Sequence, residues 1–431
     1  MGTLDINSLL RLDEGLVHSD VYSSPEVFEL EIRKLFHEGW VYIGHESEIP
    51  RPGDFVRRWI GRQSVILNRD GQGRLHLFMN RCRHRALTVC QLDSGNTDRF
   101  QCAYHGWTYG DDGALLGVTQ PQGYGDDFCR DNLALTSVRM EVYRGFVWGN
   151  LSQNGVSLDE HLGVNAKHAI DLFCDASPQG EIVLQQGCLK GASYGNWKLQ
   201  GGDGYHPPVT HEANFFYFTR LRRGETGNPI GSTGQIEQGY ISRDLGNGHV
   251  ALDVRTSGQR SLHYPKDAPW FDKYRRDLIA AHGQNRAEFI LRALGNPHTV
   301  FMPNLHLVNA CDVTLVRPVR VDYFEAYFYC AFLKGVPDEL NEYRLRDTET
   351  RMGAAGYINP DDVEMFERMQ DGMKQIANPW KYMARGMNRE RIDEDAATPE
   401  AYSWSGTTMA HYSDELTQRA QLRWWAKRLS E

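Results

Sequence analysis

The chain has 431 residues, 41% of them hydrophobic and 11% aromatic, enough apolar material for two or more domains with real cores. A net charge of −9 argues against a nucleic-acid partner, which would want a basic stripe, and weakly against an anionic membrane. The opening residues lack a basic n-region and a long apolar h-region, no stretch resembles a membrane span, and 8 cysteines in so long a chain are no disulfide scaffold. A reducing cytoplasm is the expected setting, with metal binding the first use to test for the cysteines.

Residues 25 to 38 have helical spacing, with Val27, Phe28, Leu30, Ile32, Leu35 and Phe36 on one side. Short apolar or β-branched segments follow at Trp40–Ile43, Ser64–Asn68 and Leu75–Met79. Turn signals separate them at Pro50–Gly53, Asp70–Gly73, Asp93–Asn96 and Asp111–Gly113. This predicts a small all-β domain over about residues 39–155, closed by a strand at Arg144–Asn150, after an N-terminal helical segment (1–38). From 156 to 431 the pattern is mixed. Val313–Val321 and Ala326–Leu333 look like strands; Asp272–Ala281, Asp361–Ile376 and Ser413–Leu429 look helical. The expected class is α+β, with an antiparallel sheet flanked by helices in the second domain and the N-terminal segment packed on it.

The strongest chemical signal lies in the β domain. Cys82-Arg83-His84 and Cys102-Ala103-Tyr104-His105 each place a thiolate close to an imidazole on a short loop. Four such ligands suit a structural zinc ion. They also suit a two-iron, two-sulfur cluster in which two cysteines hold one iron and two histidines the other. Zinc-finger spacing would keep Cys with Cys and His with His, whereas each loop here holds one of each. Arg85 follows the first histidine and Gly106-Trp107 the second; glycine lets backbone amides approach a sulfide.

The segments CRHRA and CAYHGWTY resemble the cluster motif of Rieske non-haem iron aromatic-ring-hydroxylating oxygenases, large (alpha) subunit. The resemblance extends over nearly the whole chain. It implies that Cys82 and Cys102 bind the inner iron of a 2Fe-2S cluster and that His84 and His105 bind the outer one, with Arg85 and Trp107 around it. The β domain is then the Rieske domain, and 156–431 the catalytic domain.

A second constellation lies in NWKLQGGDGYHPPVTH, where Asp203, His206 and His211 are spaced Asp-x2-His-x4-His. Two histidines and a distant carboxylate form the facial triad of non-haem iron(II) oxygenases. Pro207 and Pro208 would interrupt a helix between the histidines. GAAGYINPDD (353–362) resembles the family segment in which the second of two adjacent acids binds iron, here Asp362. Asn359 can cap a helix there and Pro360 fits its first position. The resemblance gives Asp203 a different role: it joins His206 to a cluster histidine, here His105, of a neighbouring subunit, making an electron-transfer bridge. One departure is clear. Gln200-Gly201-Gly202 replaces the usual Glu-Asn pair, and the stretch before Asp203 is roughly three residues shorter than in most relatives.

The resemblance implies a terminal oxygenase. Electrons pass from NAD(P)H through a separate reductase or ferredoxin, since no Gly-rich dinucleotide fingerprint follows a strand here. Dioxygen is then activated at a mononuclear Fe(II), and an aromatic ring, most in keeping with an aromatic carboxylic acid of the benzoate, cumate or salicylate type, is hydroxylated by mono- or dioxygenation. The alternative within the family is oxidative demethylation or hydroxylation of a non-ring carbon. Phe215, Met302, Asn304, His306 and Tyr357 are substrate-pocket candidates, and Arg292 and Arg317 candidate clamps for a carboxylate. The tail, including MARGMNRE and QLRWWAKRL, resembles enzymes that pair with a small β subunit, favouring an α3β3 hexamer over an α3 homotrimer.

Overall fold

The computed structural model describes residues 5–184, 187–201, 241–253, 267–293, 298–308, 311–356, 358–394, 404, 406–411 and 414–431. The chain divides into two compact units, Ile32–Leu158 and Met1–Glu31 with Asp159–Glu431.

The Ile32–Leu158 unit is built from ten short strands: β1 (Val41–His45), β2 (Asp54–Ile60), β3 (Gln63–Arg69), β4 (Leu75–Met79), β5 (Ser94–Asn96), β6 (Arg99–Gln101), β7 (Thr108–Gly110), β8 (Leu115–Gly117), β9 (Arg139–Tyr143) and β10 (Phe146–Asn150). They pair antiparallel in three small sheets, ordered β4-β3-β2-β5, β8-β7-β6 and β9-β10-β1. Turn chemistry fixes the connections. At Asp70–Gly73 the Asp70 carboxylate accepts the amides of Gln72 (2.9 Å) and Arg74 (2.8 Å), a side-chain-closed turn that leads β3 into β4. The interior between the second and first sheets is Phe55, Ile66, Phe78, Phe100, Trp107 and Tyr109, and it also encloses Cys82 and Cys102.

The other unit carries α1 (Asp20–Ser23), α2 (Pro25–Glu31), α3 (Leu158–Cys174), α4 (Trp197–Gly201), α5 (Phe271–His282), α6 (Gln284–Ala293), α7 (Asp338–Met352), α8 (Asn359–Gly372) and α9 (Leu416–Ser430). Its nine-stranded sheet uses β11 (Leu189–Ser193), β12 (Ile241–Gly246), β13 (His249–Asp253), β14 (His298–Phe301), β15 (Leu305–Val308), β16 (Asp312–Arg320), β17 (Tyr323–Cys330), β18 (Arg391–Ile392) and β19 (Thr408–His411). The order is β11-β17-β16-β15-β14-β13-β12-β19-β18, with every pairing antiparallel. In β17 the aromatic and small residues Phe324, Ala326 and Phe328 are buried at every second position, as one face of a pleated strand requires. The α+β class with an antiparallel sheet is therefore the observed one.

Two buried carboxylates hold helices of this unit, one to the sheet and one to each other. On α7, Arg351 donates to Asp312 of β16 at 2.6 Å, and Thr348 donates to the other oxygen of the same buried carboxylate. On α2, buried Glu31 accepts Lys198 Nζ (2.5 Å) and Trp197 Nε1 (2.9 Å) from α4 and Trp425 Nε1 (2.6 Å) from α9. A buried carboxylate is tolerable only when paired and hydrogen-bonded, and Glu31 is both. The apolar stripe of 25–38 contains Glu31 for this reason. The segment is also not one uniform helix: Ile32–His37 is π-helical, and Leu30 stays half-buried.

Candidate metal centres

Two loops carry the first constellation, one between β4 and β5, the other between β6 and β7. Their ligand spacing differs, yet their backbones make the same turn. The Cys82 amide donates to Leu87 O (2.8 Å) and the Ala86 amide back to Cys82 O (3.1 Å). The Cys102 amide donates to Trp107 O (2.8 Å) and the Gly106 amide to Cys102 O (3.0 Å). Both turns place their fifth residue in the left-handed region, Ala86 at φ 66° and Gly106 at φ 69°. Glycine takes that conformation freely; alanine holds it at a strain cost that marks functional sites more often than ordinary loops.

The donors pair by type. Cys82 and Cys102 are buried in one core cluster, close enough for Cys82 to raise the Cys102 thiol, and the His84 and His105 rings lie 4.6 Å apart. A single tetrahedral ion would need all four to converge, and among the described residues no three such donors do. A two-iron cluster needs sulfur beside sulfur and imidazole beside imidazole. His84 Nδ1 is buried and has no hydrogen-bond partner, an arrangement that costs free energy unless a metal takes the lone pair. Burial pushes the Cys102 thiol up, with Cys82 adding to the effect, so a cation is what would hold these groups as thiolates. The residues present therefore fit the cluster.

The surroundings agree. Trp107 stacks on His84 at 5.0 Å and 6° between planes, fixing the imidazole. Arg85 lies 5.7 Å over the Tyr104 ring, which packs on His105 at 3.7 Å. Thr119 Oγ1 holds the His105 carbonyl at 2.7 Å. Burial, then the neighbouring His84 and Arg85, lower the proton affinity of His105. Tyr109, not singled out in the sequence although it ends the quoted motif, is fully buried and reaches Cys82 Sγ at 3.3 Å.

For the second centre the described residues include Asp362 but not Asp203, His206, His211, Phe215 or Tyr357, which lie outside them. Asp362 sits in the first turn of α8. It keeps some surface exposure, but protein atoms enclose the carboxyl closely. Burial, reinforced by Asp361, pushes it up to about 8. Such a carboxyl ionises readily only beside a cation, which fits a metal ligand. The helix start differs from expectation. Ile358, not Asn359, is the cap: its carbonyl accepts the Asp362 amide at 3.1 Å, and Asn359 is already helical with Pro360 in the first turn. The Ile358 amide donates to Arg351 O at 3.2 Å, so a backbone bond to the end of α7, rather than an asparagine side chain, sets where α8 begins.

A small cavity of about 20 Å³ adjoins α4, with Met302, His306, Lys198, Gly201, Gln421 and Trp425 in its wall. Met302 and His306 thus line a common cavity, while Asn304 is buried outside its lining. Burial, then His298, pushes His306 down to about 3, so its ring is neutral. Arg317, the other clamp candidate, is paired with Glu325 on the next strand at 2.8 Å. The side chain of Arg292 lies outside the described residues. Among the described residues no helix is long and apolar enough to cross a membrane.

Residues 39–133 match the Rieske 2Fe-2S domain family, and residues 191–431 match the family of ring hydroxylating alpha subunits, catalytic domain. The anthranilate 1,2-dioxygenase large subunit of Acinetobacter baylyi is 32% identical over 86% of this chain and 80% of its own length. Toluate 1,2-dioxygenase subunit alpha of Pseudomonas putida is 33% identical over 85% and 82%. The naphthalene 1,2-dioxygenase structure from Rhodococcus sp. with bound indole superposes with a TM-score of 0.82 at 24% identity, covering 99% of this chain and 97% of that one, which shows the shared fold. With the paired thiols and imidazoles, these matches establish that the chain belongs to the ring-hydroxylating alpha subunits of the Rieske non-haem iron oxygenases.

Proposed function

We propose that this alpha subunit hydroxylates the ring of an aromatic carboxylic acid, with Cys82, Cys102, His84 and His105 holding the cluster and His206, His211 and Asp362 holding the mononuclear iron. The pairing of thiols and imidazoles on two copies of one turn is the observation that carries the cluster assignment. The substrate class is supported by the relatives named for anthranilate, toluate and 2-halobenzoate, at 30 to 33% identity. When bound, the two iron centres supply electron storage and dioxygen activation. The chain's own residues orient and insulate. Trp107 clamps the His84 ring, and Tyr109 aims its hydroxyl at Cys82 Sγ. Asp203 is assigned to link His206 to the His105 ring of a neighbouring subunit, so the active form is an oligomer, α3β3 in preference to α3. A separate ferredoxin or reductase brings electrons from NAD(P)H.

The test is substrate-dependent NAD(P)H consumption over benzoates, salicylates and amino- or alkyl-benzoates, with isotopic dioxygen to count inserted oxygens. Two labelled atoms in one ring product support ring dioxygenation. Formaldehyde release from an N- or O-methyl substrate, with no ring product, supports the second reading, oxidative demethylation. That reading is favoured by a 29% identical relative covering 97% of this chain, the N,N-dimethyl phenylurea N-demethylase subunit alpha of Sphingobium sp..

A further inference from the structure

Cys311 and Cys330 belong to the catalytic unit and have no part in the cluster motif. Cys330 ends β17, and Cys311 immediately precedes β16. Asp312 stands opposite Cys330 in the antiparallel ladder, and the Ala331 amide donates to Cys311 O at 2.7 Å. The two cysteines are therefore diagonal neighbours at the open end of this hairpin. Their Sγ atoms are 3.9 Å apart, and the residues are only 3% and 4% exposed. Strands about 4.8 Å apart with a rise of about 3.3 Å per residue put diagonal Cα atoms about 6 Å from each other, within the span of a disulfide. Closing the sulfurs to about 2 Å then asks for side-chain rotation rather than movement of the strands.

The surroundings of the pair are polar and charged. Cys311 Sγ lies 3.4 Å from Thr348 Oγ1 and 3.4 Å from the Arg344 carbonyl, both on α7. The Arg344 guanidinium donates to Ala331 O from Nε (2.9 Å) and Nη2 (2.7 Å), while Thr348 and Arg351 hold Asp312. The second half of α7 is thus fixed to the hairpin through Cys311 and the residues beside and opposite it. The hydrogen bond from the Cys330 thiol, helped by the Arg344 and Arg351 guanidiniums, outweighs burial and lowers the proton affinity of Cys311. A thiol beside two cations and a second thiol can ionise and has a partner to close on.

We propose that Cys311 and Cys330 form a reversible oxidation site, closed to a disulfide by hydrogen peroxide. The Cys311 thiolate attacks one peroxide oxygen, the O–O bond breaks, and hydroxide leaves and takes up a proton as water. Cys311 is then a sulfenic acid, oxidised by two electrons. The Cys330 sulfur attacks it, the S–O bond breaks, and a second water leaves with the Cys330 proton. Two thiols and one peroxide give one disulfide and two waters. Peroxide is small and uncharged, and it is the two-electron reduction product of dioxygen, the co-substrate of this family. The disulfide also has a structural consequence. Its sulfurs carry no proton to donate, and Cys311 Sγ, drawn to Cys330, leaves Thr348 and the Arg344 carbonyl, so α7 loses part of its hold on the hairpin. None of this depends on which residues bind the mononuclear iron.

The experiment uses the assembled, cluster-loaded oxygenase, reduced with dithiothreitol and desalted. It is exposed to hydrogen peroxide, quenched, alkylated under denaturing conditions and digested without reductant. Mass spectrometry is expected to find the peptides holding Cys311 and Cys330 joined and lighter by two hydrogens than their sum, with both thiols lost to alkylation and both recovered by dithiothreitol. Amide hydrogen exchange over residues 344–352 should be faster in the oxidised protein and return to the reduced rate with dithiothreitol. Cys330→Ala removes the second thiol, so Cys311 should then be trapped by dimedone as the sulfenic acid; Cys330→Ser serves if that variant does not fold. Cys129, which is exposed, reports that the oxidant has acted. No joined peptide in samples where Cys129 is oxidised, or one that dithiothreitol does not release, overturns the proposal. A folded Cys330 variant without a dimedone adduct at Cys311 overturns the choice of Cys311 as the attacking thiol. Unchanged exchange in α7 beside a formed disulfide overturns the structural consequence.

Discussion

The Tyr109 hydroxyl accepts the Arg83 amide at 2.9 Å and sits 3.3 Å from Cys82 Sγ, where it is the donor once Cys82 is a thiolate. A hydrogen bond to a cluster sulfur withdraws electron density and favours the reduced state. Tyr109→Phe removes it, together with the acceptor of the Arg83 amide. Its net worth of roughly 0.5–1.5 kcal/mol corresponds to a midpoint potential lower by about 20–65 mV for a one-electron couple. Protein-film voltammetry or a dye-mediated redox titration checks this; an unchanged potential would show that the hydroxyl does not reach the ligand sulfur in the loaded protein.

Metal removal should separate the two centres. The intact enzyme is expected to hold about three irons and two labile sulfides per chain. A ferrous chelator should remove one iron and stop turnover while the visible absorption of the cluster persists. His206→Ala should give the same state permanently. Asp203→Ala should keep both centres largely filled yet nearly stop turnover, as measured by single-turnover reduction kinetics.

Gly201 ends α4 against His306. A Cβ there would stand 2.5 Å from His306 Nε2 and 2.8 Å from Cε1. Gly201→Ala should therefore cost about 1–3 kcal/mol by overpacking, read by denaturant unfolding, and His306→Ala in the same chain should recover much of it.

Glu31→Ala strands the Lys198 ammonium and two indole N–H groups in a buried site. Removing one partner of a buried ion pair costs roughly 3–5 kcal/mol. The urea midpoint of the catalytic unit should fall accordingly, and a Glu31→Gln/Lys198→Met double variant should lie above the single one.

Asp70 gives a pH signature. Burial alone would raise its carboxyl, but His76 Nε2 (2.9 Å), Arg74 Nε (2.7 Å) and the Arg74 and Gln72 amides outweigh it and hold it well below the usual carboxylate range. A carboxyl with a lowered folded value stabilises the fold fully above its unfolded pKa, near 4, and loses that stabilisation as pH falls toward the folded value. The difference in melting temperature between wild type and Asp70→Asn should thus be largest above pH 5 and shrink on acidification. A constant difference would sink the assignment.

The two Cys–His loops were legible in the sequence because their spacing is local: each is a single turn of five residues that begins at its Cys. Alternation and β-branching likewise placed β3, β4 and β16 to within one or two residues. What was not legible depends on distant partners. Nothing near Gln370 announces Asn196, 174 positions away, and nothing in the stripe around Glu31 announces two tryptophans. The start of α8 was misplaced by one residue because Asn359-Pro360 is a good local cap signal, while the deciding bond runs from Ile358 back to Arg351. The motif CAYHGWTY contained Tyr109, but only the folded loop shows the hydroxyl meeting Cys82 rather than solvent.

The bond from Trp425 to Glu31 spans 394 positions, which orders events during synthesis. All of Ile32–Leu158 emerges from the ribosome long before α9, so the cluster-bearing unit has every residue it needs to fold and receive its cluster while the chain is still growing. The catalytic unit must wait. Until α9 arrives, Glu31 lacks one of its three donors, and α4 is held by an incomplete anchor. Iron loading is thereby expected to be sequential, cluster first and mononuclear iron last, with premature termination near the end of the message yielding a red but inactive protein.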